Sequence, residues 1–293
     1  MNAIPVVLFA YARPEHLSRV LACLRENTVP LIYAFADGAQ GAADAAAVAA
    51  TRALLRGIDW TEVRLVERPH NFGLGRNVLA GVTEVAAQHE AFIVWEDDLV
   101  AVPGTYAWLG AALAHYAGDE RMMSVTAWTH PRVTPAGIGD APYGDARAES
   151  WLWGAWARSW RGMNEGNALA KARWAVKRGL PAGAYGADLP VMARDEERRN
   201  LWAVRWIYHH LASGGLCLRP PWSMVEHIGF DGKATNAAAA LGWDNPPLRP
   251  APPVPVAWPA LREHPDCRRL WEAANPGGWR RLWLRLRARL ISA

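Results

Sequence analysis

Short apolar runs punctuate the first half of the chain at regular intervals. Ile4 to Tyr11, Leu31 to Ala36, Val63 to Val66 and Ala91 to Trp95 are nearly continuous in apolar residues. Runs of that length without alternation predict parallel strands buried on both faces. Between them lie helical patterns: one beginning near Pro14, an alanine-rich one from Ala42 to Leu55, and one from Gly75 to Gln88. A helix around Tyr106 to Tyr116 and a strand from Met123 to Ala127 follow. This alternation predicts an α/β fold, a mostly parallel sheet flanked by helices on both faces. Ligands of such sheets bind beyond the carboxyl ends of the strands. Arg13, Asp37 and the trio Glu96, Asp97 and Asp98 each come just after a predicted strand, so they are expected on one sheet edge.

From about residue 130 the pattern changes to Gly, Pro and Trp in loops. Helical segments are predicted at Trp151–Arg161 and Leu201–Ser213, and "GLCLRPPWSMVEHIGFDG" reads as a strand with a polar turn. Pro246 to Pro259 is proline-dense and expected to run extended over the surface. Three segments follow from this texture: 1–130, 131–245 of the same domain, and 246–293.

Composition narrows the class. The 293 residues are 51% hydrophobic and 20% charged, ordinary for a globular chain. No apolar run approaches the roughly 20 residues that span a bilayer. The start "MNAIPVVLFAYARPEH" reads as a buried strand rather than a secretory signal. Cys23, Cys217 and Cys267 have no metal-type spacing and read as buried thiols in a reducing cytoplasm. The net charge of +4 is mild and the cations are not interleaved as in nucleic-acid binders, so no nucleic-acid partner is expected. Tryptophan is abundant at 17 copies, and indole suits cores and the apolar faces of sugars alike.

The sharpest chemical signal is "IVWEDDLV". Three adjacent carboxylates at a strand end are either a solvated turn or a site for a hard divalent cation, Mn2+ or Mg2+, completed by substrate phosphates. Upstream, "RPHNFGLGRNVLAGV" places glycines at the start of a helix, and a helix N-terminus near such a cation would seat a diphosphate. "GLGRN" lacks the dinucleotide fingerprint, which argues against a nicotinamide cofactor.

Taken in order, "PVVLFAYARPEHLSRVLACL", "FADGA", "HNFGLGRN" and "VWEDDLVAVPGTYAWL" running into "MMSVTAWTHP" resemble the nucleotide-binding half of GT-A-fold glycosyltransferases. The likeness is to the bacterial family-2-like enzymes and N-acetylglucosaminyltransferase I. It extends over "SWLWGAWARSW" and "LWAVRWIYHHLASGGLCLRPPWSMVEHIGFDGKATN", similar to the acceptor-side half, which is Trp-rich here. The resemblance implies a metal-dependent, inverting transfer of a sugar from a nucleoside-diphosphate sugar, with a UDP-sugar the leading donor, to a glycan, lipid-linked saccharide or protein. It implies Asp98 as the metal ligand, Asp97 at the ribose, Glu96 at the transferred sugar, Asp37 at the base with Arg13 lining the cleft, and Arg76 and Asn77 framing the nucleotide. Trp153 and Gly154 would form a sugar platform, against the alternative that Trp153, Trp156 and Trp160 are a helical core stripe. His227 would complete the metal shell, although Asn236 stands where relatives carry a histidine.

An inverting transferase needs a general base. Some relatives carry an Asp where "LWAVRW" has Ala203, so the role falls to Asp195 in "ARDEERRN", with Asp231 as runner-up. His209 and His210, adjacent on a predicted helix, point apart, so no joint metal role is expected. The segment "GWRRLWLRLRARLISA" has apolar residues at helical spacing among arginines. It reads as a helix packed on the domain or as an interfacial helix giving peripheral contact with the inner membrane face. A nucleotidyltransferase would carry a glycine-rich basic loop where "AYARPEH" follows the first strand; a non-catalytic sugar- or nucleotide-binding homologue is the third alternative.

Overall fold

The computed structural model describes residues 3–229, 243–254 and 257–278. Four parallel strands, β1 (Val6–Ala10), β2 (Leu31–Ala36), β3 (Glu62–Glu67) and β4 (Ala91–Glu96), alternate with helices α1 (Pro14–Glu26), α2 (Ala42–Arg56) and α3 (Leu74–Ala86). These lie close to the predicted runs. β1, β2 and most of β4 are buried, which is why their sequences carry no alternation. After β4 come a short strand β5 (Leu99–Ala101), α4 (Thr105–His115), β6 (Met122–Thr126) and β7 (Tyr143–Asp145). The chain continues through β8 (Trp153–Trp156), α5 (Ala157–Trp160), α6 (Ala168–Lys177), α7 (Leu189–Arg199) and α8 (Trp202–Ser213). The last described elements are β9 (Leu216–Arg219), β10 (Val225–His227) and α9 (Cys267–Ala274).

The main sheet has the order β3-β2-β1-β4-β8-β6-β9-β7. The pairings make β3, β2, β1, β4, β6 and β9 run one way, with β8 and β7 opposed. The α/β class with a mostly parallel sheet flanked by helices is therefore present. The strand order grows outward from β1 to β3 and then returns to place β4 on the other side of β1. That reversal opens a crevice at the carboxyl ends of β1 and β4, where Phe9 pairs with Glu96. The carboxylate trio stands at this switch point.

One element differs from its sequence pattern. Trp151–Arg161, read as helical, is the strand β8 followed by the single-turn helix α5. β8 is inserted between β4 and β6 and buried at every position, so its tryptophans show no period of two. A Cβ on Gly154 would stand 2.9 Å from Leu113 Cδ1 and 3.3 Å from Ile93 Cγ1, so glycine lets α4 close onto the strand. Trp153 packs against Trp206 at 4.8 Å between ring centroids and Trp160 at 5.9 Å, forming an indole core between β8 and α8. No helix of the described residues is long and apolar enough to cross a membrane.

Candidate active site at the β1/β4 switch point

β4 ends at Glu96, and the turn Asp97-Asp98 leads into β5. β5 pairs with β10 so that Leu99 faces His227 across the ladder, and the Ile228 N–H donates to the Asp98 carbonyl at 2.8 Å. Asn245 brackets His227 by accepting its backbone N–H at 2.8 Å and donating to its carbonyl at 2.9 Å. The ladder thus brings a histidine from late in the chain to the carboxylates. His227 Nε2 lies 3.5 Å from Asp98 Oδ2. Arg13, at the β1–α1 junction, reaches the same oxygen with Nη1 at 2.8 Å. The Tyr11 N–H donates to Asp97 Oδ2 at 2.7 Å, tying β1 to the trio.

Backbone passes tightly over this cluster. A Cβ on Gly229 would meet His227 Cε1 at 2.8 Å, Asp98 Oδ2 at 2.9 Å and Arg13 Nη1 at 3.0 Å. Glycine is required there by proximity, a role that "HIGF" does not announce. Tyr11 likewise carries no sequence signal, since it acts through its main chain.

Burial sets the protonation of the trio. Desolvation first, then the neighbouring Asp98 charge, pushes Asp97 up to about 8. The same causes, with Asp97 added, raise Glu96 well above the ordinary carboxylate range. Arg13 opposes both shifts without cancelling them. The cluster therefore holds protons near neutral pH for want of positive charge. Asp98 Oδ1 is buried and, among the described residues, without a hydrogen-bond partner. A buried carboxylate oxygen with an open lone pair, beside two protonated acids, fits a hard divalent cation.

The set is sparse: among the described residues no group of three or more His, Cys, Asp or Glu side chains is arranged to hold a metal. His227, the expected second ligand, is next to Asp98 but differently employed. Its Nδ1 accepts the Gly229 N–H at 3.1 Å, which leaves the neutral ring's proton on Nε2, facing the carboxylate. Burial lowers its basicity further, against the pull of Asp98.

Asp37, expected at the nucleotide base, is held by backbone amides. Its Oδ1 accepts from the Gly38 and Phe72 N–H groups at 2.8 Å and its Oδ2 from Gly73 at 2.9 Å. It clamps the "HNFG" loop onto the end of β2. Asn77 is also buried, its Oδ1 accepting from Arg68 Nε at 2.9 Å. Arg76 is exposed in the first turn of α3.

The glycines of this helix start have a structural partner. A Cβ on Gly75 would stand 2.5 Å from Asn200 Oδ1 and 2.7 Å from the Asn200 carbonyl, and one on Gly73 would overlap Asn200 Nδ2. Gly73 has φ +73°. The α7–α8 corner thus sits on the α3 N-terminus where a diphosphate was expected, and the glycines admit Asn200.

The platform expectation also changes. Trp153 is fully buried, and Gly154 is occupied in packing α4, so neither offers a face to a sugar. Trp151, half-buried two residues earlier, is the indole that reaches the site, with its ring 4.9 Å from His227. An aromatic wall continues from it through Trp128 at 5.3 Å to Trp243 at 6.1 Å. Asp195 lies on α7, ion-paired with Arg198 at 3.0 Å. Its neighbour Glu196 is buried against Arg205 and the Ala168 N–H, a structural employment. Ala203 stands half-buried in the first turn of α8. Asp231, Asn236 and the tail from Trp279 lie outside the described residues. His209 and His210 bind different partners, the Ser159 carbonyl and the Ser124 hydroxyl; burial lowers them to about 4 and about 3.

No protein-family model matches the chain. No curated protein matches it. Among solved structures it is similar to a mannosyltransferase from Pyrobaculum calidifontis in complex with GDP-Man and Mn2+. The identity is 15%, with 82% of this chain and 78% of that one covered and a TM-score of 0.41. It is also similar to the inositol-1-phosphate CTP transferase from T. maritima, at 9% identity, 80% and 93% coverage and a TM-score of 0.38.

Proposed function

We propose that this chain is a divalent-metal-dependent glycosyltransferase that moves a sugar from a nucleoside-diphosphate sugar to a hydroxyl acceptor. The observation that carries the reading is the buried Glu96, Asp97 and Asp98 cluster at the β1/β4 switch point, with Asp98 Oδ1 lacking a partner among the described residues. Burial favours the protonated forms of Glu96 and Asp97, and a bound cation would compensate their ionised forms.

In this reading Asp98 would hold the metal, and His227, next to it, would be the second protein ligand. When bound, Mn2+ or Mg2+ acts as a Lewis acid on the diphosphate leaving group. Arg13 turns from Asp98 to the phosphate oxygens, a charge-assisted contact to the same developing charge. Asp97 and Glu96, in their ionised forms, would accept hydrogen bonds from ribose and sugar hydroxyls. Trp151 offers its indole to the sugar or acceptor ring. Transfer forms the acceptor-oxygen bond to the anomeric carbon as the bond to phosphate breaks, and the electron pair leaves with the diphosphate. The hydroxyl proton goes to a carboxylate base, and an Asp195→Asn variant tests the residue that the sequence nominates.

Incubation with UDP-, GDP- and dTDP-sugars and Mn2+ tests the reading. Slow release of nucleoside diphosphate by the wild type, absent in Asp98→Ala, supports it. Pyrophosphate release from a nucleoside triphosphate and a sugar phosphate identifies a nucleotidyltransferase instead. Tight binding of a nucleotide sugar without any turnover identifies a binding homologue.

A further inference from the structure

The stretch from Ala168 to Ala187, covering α6 and the loop after it, contains Lys171, Arg173, Lys177 and Arg178 and no carboxylate. Lys171 turns inward and donates to the Gly162 carbonyl at 2.7 Å. The other three cations are exposed. Among the described residues the exposed large apolar side chains are Leu74, Trp174, Val176, Val191 and Val254. Trp174 and Val176 stand on either side of Arg173 and Lys177 on the exposed half of α6, and Val191 lies on the first turn of α7, so the patch is mixed, with basic side chains between the apolar ones.

Beside the patch is a cleft of about 330 Å³ with Ala172, Val176, Ala182, Pro190 and Tyr208 among its lining and Arg173 and Lys177 at its edge. The Arg178 guanidinium lies over the Trp174 ring at 4.8 Å. The face is rigidly held, because α6 starts on Glu196, which accepts the Ala168 N–H, and is capped by the Asn167 side chain. Of the carboxylates around it, Asp188 pairs with Arg147, Asp195 with Arg198 and Glu196 with Arg205, while Glu165, near Lys171, and Glu197, bonded to Asn167, keep their charge. Arg194, exposed on α7, adds to the positive field.

We infer that the α6–α7 face docks on an anionic phospholipid bilayer, with Trp174, Val176 and Val191 entering the headgroup boundary and Arg173, Lys177 and Arg178 meeting lipid phosphates. An indole and long basic side chains around an apolar slot are the chemistry that this boundary selects. Charge excludes the chain's own C-terminal segment as occupant, since Arg280, Arg281, Arg285, Arg287 and Arg289 would face the same cations. The inference stands apart from the transfer reading.

Co-sedimentation of the full chain with phosphatidylcholine vesicles, with and without phosphatidylglycerol, tests it. Binding should require the anionic lipid and weaken with salt. Replacing Arg173, Lys177 and Arg178 by Glu should lower the partition coefficient by roughly a hundredfold or more. Trp174→Ala should lower it by roughly tenfold. All these side chains are exposed, so the melting temperature should stay unchanged. A variant with the five C-terminal arginines replaced by Gln should remain sensitive to the α6 changes. Equal binding to neutral vesicles, or wild-type binding by the α6 triple variant, overturns the inference. So does sensitivity to Trp174→Ala in pull-down of an acidic peptide but not on vesicles.

Discussion

Asp97→Asn separates the electrostatics of the trio from its packing. In the wild type this carboxyl has an ordinary value of 3.8 when exposed and about 8 when folded, because burial and the Asp98 charge disfavour ionisation. Between those values the folded chain holds a proton that the unfolded chain has released. Stability must therefore fall as pH rises through that window. One such group changes the unfolding free energy by about 1.4 kcal/mol per pH unit, hence about 3 kcal/mol between about pH 5.5 and about pH 7.5. Glu96 adds a drop of the same sign. Asparagine imitates the protonated acid, keeps an acceptor for the Tyr11 N–H and cannot ionise. Urea unfolding at several pH values should show the metal-free wild type losing stability as pH rises, and Asp97→Asn losing less by one group's share. Saturating Mn2+ with a nucleoside diphosphate should flatten the wild-type slope, because the ligand favours the ionised trio. Equal pH slopes for the two metal-free proteins would refute the reasoning.

Other expectations follow from single contacts. Trp153→Ala opens a cavity in the indole core and should cost about 3–5 kcal/mol in unfolding free energy, whereas Trp151→Ala, at a half-buried site, should cost less, about 1–2 kcal/mol, and lower sugar transfer more than nucleotide binding. Gly75→Ala should destabilise by about 1–3 kcal/mol through overlap with Asn200; a double-mutant cycle with Asn200→Ala should recover only the side-chain share of that loss, because the Asn200 carbonyl, 2.7 Å from the added Cβ, stays in place. Arg219, fully buried with Asp145 at 2.7 Å and Glu149 at 3.4 Å, anchors the loop that carries Trp151. Replacing it by Met leaves the buried Asp145 without its cation, and the half-buried Glu149 with it, and should cost about 3–5 kcal/mol by denaturant titration.

β1, β2 and β4 were legible because a strand buried on both faces writes itself as a bare apolar run, as in "VVLFA" and "LIYAFA"; β3, expected to be buried likewise, is the edge strand and is exposed or half-buried throughout. β8 was not, because Trp153, Trp156 and Trp160 recur at a spacing that also suits a helix. Only the neighbouring strands β4 and β6 decide between the two. The carboxylate trio was legible as chemistry, since three acids closing an apolar run must be compensated somehow. Its immediate neighbours were not. Asp37 looks like a ligand-facing strand end, and its capture by the Phe72 and Gly73 N–H groups depends on a loop path that sequence does not encode locally. The glycines of "FGLG" announced a close approach, but of what was written in Asn200, at the distant α7–α8 corner. The partnership of Gly229 with Asp98 and Arg13 depends in the same way on the three-residue ladder between β5 and β10.

Isothermal calorimetry of UDP, GDP and dTDP binding, with and without Mn2+, on wild type and Asp98→Ala tests the central claim most directly. The account predicts metal-dependent binding of one of these nucleotides to the wild type, with protons released to buffer as the trio ionises, and none to the variant. Binding that ignores the metal, or that survives intact in Asp98→Ala, would contradict it.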